Sequence, residues 1–282
     1  MNVINSFSDF FHYDFLLYAL LGTLFLSITC GLISPLIIAR KNAFMGSAIS
    51  HSTLLGLAIA LSLFSVDHYF SVFTTTLIVT ITCTLFLAYS TFRQKLPSDS
   101  SIGIFYTATM ALGIIIHSLF AKNKTDLLSF LFGNILLLTK EDLILSILLL
   151  LITAPLIIIP MKKWLYLTYD EEGAITSGIN AKFYHYLFFV MLALLIVTSI
   201  KIAGTILIET LLLVPGFFAL KFSANVKQTF IISVVFSVVF AVLGIVIANA
   251  FGLPSGATLA VVLFLALVLS LFLKKIYNFI KK

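Results

Sequence analysis

Charge is what this chain has least of. Its 282 residues hold 11 acidic and 17 basic side chains, 10% charged against 61% hydrophobic. With a mean hydropathy of +1.18, it carries more apolar side chain than a soluble core could enclose. A soluble globular domain is excluded, and an all-α integral membrane protein is expected. Cysteine is nearly absent too: Cys30 and Cys83 fall inside predicted spans and form no CxxC pair, so packing is a better reading than a ligand or a disulfide. No GxxxxGK[ST] phosphate loop occurs, so the chain does not power itself with ATP. No HExxH or comparable nucleophile–base set occurs either, which speaks against an intramembrane enzyme. The longest polar stretch, roughly 161–182, is too short to fold alone. No basic helix face or aromatic–basic alternation suggests nucleic acid. The two halves show no convincing self-similarity, whereas a secondary transporter would usually carry an inverted repeat. Residues 1–14 have no Lys or Arg and the apolar run after them is too long for a signal h-region, so a cleaved signal peptide is not expected.

What is present is a series of long apolar runs. About 20 helical residues cross a hydrocarbon core of roughly 30 Å, and the runs near 15–39, 44–65, 69–92, 101–120, 142–160, 183–200, 203–220, 228–249 and 256–274 meet that length. About nine transmembrane helices (range eight to ten) in one membrane domain spanning 1–282 are expected. Leu127–Leu138 is apolar but too short to span, and reads as a half-helix or surface helix. Basic residues collect on the cytoplasmic side of membrane proteins. A cytoplasmic C-terminus puts Lys274, Lys275, Lys281, Lys282, Lys221, Lys227, Lys162, Lys163, Lys182, Arg93, Lys95, Arg40 and Lys41 inside. Only Lys122, Lys124, Lys140 and Lys201 remain outside. The N-terminus is therefore expected outside.

Polar groups within the spans are the candidates for function, since burying them in hydrocarbon is costly. Gly46-Ser47-Ala48-Ile49-Ser50-His51 opens the second span. On a helix Ser47, Ser50 and His51 stand at i, i+3 and i+4 and share one face. Glu209 lies mid-span, where a charge costs about 2.5–3.5 kcal/mol and needs a partner or water. Pro35 and Pro215 sit inside spans and are expected to kink their helices and free carbonyls toward a cavity. Between spans five and six, Trp164 to Asn180 contains Asp170, Glu171 and Glu172, acids suited to a helix N-terminus, and Gly178, suited to its C-cap. One short surface helix is expected there, either a solvated connector or a docking element. The remaining histidines are weaker candidates. His117 near the outer end of span four reads as packed, His12 lies in the outer N-terminal tail, His185 lies at the cytoplasmic entry to span six, and Asp67-His68 reads as a solvated interfacial pair that could alternatively assist ion entry.

The segment Arg40-Lys41-Asn42-Ala43-Phe44-Met45-Gly46-Ser47-Ala48-Ile49-Ser50-His51-Ser52-Thr53-Leu54-Leu55-Gly56 resembles R-x-x-x-x-M-G-D-A-L-S-H-x-x-x-x-G, the signature of permease subunits in the zinc, manganese and iron ABC uptake family. Further blocks agree in order. Leu131-Phe132-Gly133-Asn134-Ile135-Leu136 resembles L-F-G-x-I-L. Asp170 to Ala174, with Gly178-Ile179, is similar to D-x-E-x-A-x-x-x-G. Gly204-Thr205-Ile206-Leu207 with Leu211-Leu212-Leu213-Val214-Pro215 resembles G-x-L-L-x-x-A-L-L-x-x-P, and Leu253-Pro254-Ser255-Gly256 matches L-P-S-G.

The resemblance implies an importer permease, similar in fold to ABC importers for metal chelates and cobalamin. Its partners would be a second permease chain, as a homodimer or as one of two different chains, a cytoplasmic ATP-binding subunit and an extracytoplasmic metal-binding protein. The 161–182 loop would be the coupling element, with Asp170, Glu171, Glu172, Ala174 and Gly178 at the ATPase groove. No tightly bound cofactor is implied, only a transported divalent metal. His51, Ser47, Ser50 and Glu209 would line its path. The family motif has Asp where this chain has Ser47, and Glu209 is expected either to restore that carboxylate or to be a protonated acid bonded to a neighbouring helix. A histidine-centred site short of hard oxygen ligands leans toward zinc over manganese or iron.

Overall fold

The computed structural model describes residues 10, 12–64, 68–92, 98–120 and 138–280. They form helices α1 (Asp14–Ala39), α2 (Met45–Leu63), α3 (Tyr69–Phe92), α4 (Ser98–Phe120), α5 (Lys140–Ile158), α6 (Met161–Tyr169), α7 (Glu171–Thr176), α8 (Ala181–Phe222), α9 (Val226–Phe251) and α10 (Ser255–Ile280). Among the described residues, nine segments are long and apolar enough to cross a membrane, and their ends fall within two residues of those expected from hydropathy. The fold is an all-helical membrane bundle. Two of the nine lie in α8, where Gly204 (φ 73, ψ 165) leaves the helical region between Ala181–Ile200 and Ala203–Phe222. The expected half-helix at Leu127–Leu138 lies outside the described residues except for Leu138, as does the 131–136 block.

The chain separates into two compact units. One comprises the chain through Ile38, the segment ending at Ala154 and everything from Lys201 onward; the other runs from Ala39 through α4 and takes up Pro155–Ile200. In the first unit α9 packs on α10, and buried serines tie helices together. Ser233 Oγ donates to Gly31 O at 2.7 Å, Ser237 Oγ to Ser27 O at 2.8 Å, and Gly216 N to Ser34 Oγ at 2.7 Å. Hydrogen bonds of this kind contribute about 0.6 kcal/mol each in a membrane. Pro35 and Pro215 lie inside α1 and α8, and the non-helical dihedrals of α8 belong to Gly204. Gly252 in the left-handed region (φ 63) ends α9, and Leu253-Pro254 leads into α10.

In the second unit α2 lies against both α3 and α4. The approach is close because glycine stands at each contact. A Cβ on Gly56 would come within 2.8 Å of Thr76 O, and one on Gly113 within 3.2 Å of the Leu55 backbone. Small residues let membrane helices approach to this distance. As a result 78% of the α2 span window is buried, against 17% for α4.

The loop after α5 departs from the expected single helix. It forms two, α6 and α7, broken at Asp170 (φ −150, ψ 83). The break has a local cause. Asp170 leaves the helical region so that its Oδ1 can accept from Gly173 N at 2.9 Å, capping α7. Trp164, fully buried, anchors α6 by donating from Nε1 to Leu156 O at 2.9 Å.

Candidate functional site

The polar cluster sits at the start of α2. Lys41 takes a left-handed conformation (φ 57), and α2 begins at Met45 after Phe44, which makes no side-chain cap. Ser47 is half-buried and Ser50 is fully buried, while His51 is 8% exposed. The neighbouring hydroxyls satisfy themselves locally: Ser52 Oγ and Thr53 Oγ1 both donate to Ile49 O, at 2.7 and 3.0 Å. Ser50 Oγ and His51 Nδ1 do not. Both are buried with no hydrogen-bond partner among the described residues. Leaving a buried polar atom unpaired costs about 1–3 kcal/mol, so two adjacent ones ask for a missing ligand. The Thr84 and Ser199 hydroxyls also lack partners among the described residues, but neither is next in sequence to another unpartnered atom.

Tyr106 of α4 completes the neighbourhood. Its ring meets the His51 imidazole edge-on, with centroids 4.4 Å apart at 86°. It also lines a cavity of about 410 Å³ with Phe44, Ser47, Ile102 and Gly103. Gly103 leaves that space open, since a Cβ there would meet nothing within 4 Å. Sequence reasoning missed Tyr106, whose place beside His51 depends on how closely α4 approaches α2. An imidazole nitrogen with hydroxyl oxygens is a donor set that suits a divalent transition metal. Among the described residues no three His, Cys, Asp or Glu side chains cluster.

Glu209 belongs to the other unit, on the second limb of α8. It is half-buried and lines a cavity of about 490 Å³ with Thr210, Leu213 and Val214 and with Ala257, Ala260 and other apolar side chains of α10. The residues expected to face an ATPase come together at α7. Asp170 is the N-cap, Glu171 and Glu172 are exposed, Ala174 is fully buried, and Gly178 (φ 83) follows the helix as expected. The exposed acids meet a helix N-terminus, where the backbone dipole favours negative charge.

The minor candidates separate from the site. His12 and His68 are exposed, and Asp67 lies outside the described residues. His117 is half-buried in α4. His185 packs α8 on α3, with Nε2 3.0 Å from Ala88 O and 3.2 Å from Thr91 Oγ1. Cys30 is buried and Cys83 half-buried, and both are free thiols.

With this geometry in place, comparison with known proteins is decisive: the family model described as ABC 3 transport family matches residues 12–274. The chain belongs to the ABC 3 transport family. One curated relative, the manganese transport system membrane protein MntC of Listeria monocytogenes, is 31% identical over 250 residues, 89% of this chain and 87% of its own. The solved structure of PsaBC from Streptococcus pneumoniae in complex with Fab contains a chain that matches with a TM-score of 0.84 and 30% identity, covering 100% of both chains. A metal-chelate type ABC transporter in an inward-facing conformation shares the fold at a TM-score of 0.72 and 17% identity, over 90% of this chain and 86% of its own. As a member of the ABC 3 transport family the chain is a multi-pass transport permease, not a catalytic enzyme.

Proposed function

We propose that the chain is the permease subunit of an ATP-driven importer that carries a divalent transition metal into the cytoplasm. The observation that carries this reading is the adjacent pair of unpartnered buried atoms, Ser50 Oγ and His51 Nδ1, beside the cavity that Ser47 and Tyr106 line. Imidazole and hydroxyl groups replace part of the water shell that a cation sheds on entering the membrane. A second permease chain presenting the same face would complete the shell, while Glu209 lines a cavity of its own and bears on the path only if its replacement lowers uptake. Zinc is the metal this donor set suits best, since Ser47 stands where a harder carboxylate would favour manganese. The naming of the Listeria relative for manganese supports a second reading, manganese.

The partners follow from what the chain lacks. Having no phosphate loop, it relies on a cytoplasmic ATP-binding subunit, which docks on α6–α7, and on an extracytoplasmic protein that delivers the ion. The distribution of basic residues supports an N-terminus outside and a C-terminus inside a bacterial cell membrane. The test is ATP-dependent uptake by the reconstituted complex with zinc, manganese and ferrous iron in competition, repeated with Glu209→Gln. Zinc is expected to outcompete the others. Uptake that runs on an ion gradient without the ATPase would reject the reading, and unchanged uptake in Glu209→Gln would remove Glu209 from the path.

A further inference from the structure

Arg40 stands at the end of α1, five residues before α2 begins. Its guanidinium rests on a pair of rings packed against each other, with Cζ 5.4 Å from the centroid of Trp164 and 5.1 Å from that of Phe188, the two centroids being 5.9 Å apart and their planes tilted by 56°. Trp164 is fully buried in α6 and Phe188 is 1% exposed in α8. Arg40 Nε donates to Thr168 Oγ1 at 3.4 Å, and that hydroxyl donates to Trp164 O at 2.6 Å. Trp164 is fixed in turn by Leu156 O and by an edge-on contact with Tyr184 at 5.0 Å. Burial draws the Arg40 pKa down, and the Glu171 carboxylate opposes that pull. All these residues lie in one compact unit.

A charge needed only as a cytoplasmic flank would have stayed in water, as a lysine does. A planar guanidinium held against two packed aromatic rings and hydrogen-bonded to Thr168 is a joint that fixes position and orientation. On one side of this joint are α6 and α7, the candidate docking element. On the other, across the left-handed Lys41, is the start of the helix that carries Ser47, Ser50 and His51.

We infer that Arg40 is a positioning residue that locks the docking element to the metal-bearing helix, so that movement of α6–α7 on the ATPase is passed to α2. This rests on the importer reading, and it predicts a defect in coupling rather than in docking or metal affinity. The experiment uses the full complex of permease, ATPase and binding protein in vesicles, with zinc as the probe. It measures zinc imported per ATP hydrolysed and ATPase copurification. Arg40→Lys keeps the charge and the topology signal but loses the planar guanidinium and its Nε donor. Its ratio is expected to fall about fivefold or more, the scale of ordinary inter-site coupling, with copurification unchanged. Phe188→Leu removes one of the two rings on which the guanidinium rests and is expected to lower the ratio in the same direction; it decides the matter if Arg40→Lys does not assemble. A normal ratio in assembled Arg40→Lys, or in Phe188→Leu where that variant decides, overturns the inference. The same ratio is read with manganese and ferrous iron if zinc is not carried, and a wild-type complex showing no ATP-dependent uptake of any of the three overturns the importer reading along with it.

Discussion

Ser233 and Ser237 in the first unit and Ser50 in the second are equally buried, yet they do opposite work. In the first, Ser233 and Ser237 are fully buried and each bonds a carbonyl of α1, which holds two helices together and leaves no polar atom wanting. In the second, Ser50 is equally buried and bonds nothing among the described residues, and His51 Nδ1 beside it is the same. Burial alone therefore does not mark function in a membrane helix. A hydroxyl satisfied by its own protein has no remaining demand for a ligand, whereas Ser50 and His51 place two unsatisfied atoms on adjacent residues, unlike the isolated hydroxyls of Thr84 and Ser199.

The sharpest way to break this comparison is at His51. His51→Ala is expected to reduce uptake by at least about tenfold, since even supporting groups around a metal are worth that much, while the protein still inserts and copurifies with its ATPase. Zinc uptake close to wild type would mean that the unpaired nitrogen is an accident of packing. The next effect is a pair with opposite signs. Ser237→Ala should lower thermal stability by about 0.6 kcal/mol and leave uptake intact, whereas Ser50→Ala removes an unsatisfied hydroxyl and should leave stability level or raised while uptake falls. Thermal melts and uptake measured on both variants check it. Equal stability losses would erase the distinction between the units.

Much of this architecture could be read from sequence, because a bilayer imposes one length on every spanning helix. The expected and observed span ends differ by two residues at most. The α7 caps were equally legible, since Asp170 and Gly178 act through bonds to neighbours a few residues away. Helix α6 was not. Trp164 to Tyr169 has no capping residue and no long apolar run, and the helix is held by the burial of Trp164, which only the folded chain reveals. Tyr106 and the stacking of Arg40 escaped for the same reason: each depends on partners more than 50 residues away in the chain. Ser50 and His51 were visible as an expensive polar pair, but the sequence could not show that both lack partners.

The smallest effect expected concerns α7, where the polar groups are locally satisfied and yet, on the importer reading, still functional. Asp170 caps the helix through Gly173 N, and replacing a cap of this kind with alanine costs about 1 kcal/mol. Because α7 is six residues long with its acids exposed, that loss falls on the local helix and should barely change global stability. If α7 docks the ATPase, Asp170→Ala should weaken copurification, and Asp170→Asn, which keeps an acceptor oxygen for Gly173 N, should restore most of it. Failure of Asn to rescue would assign the effect to the lost charge; no effect in either variant would return α7 to the status of a solvated connector.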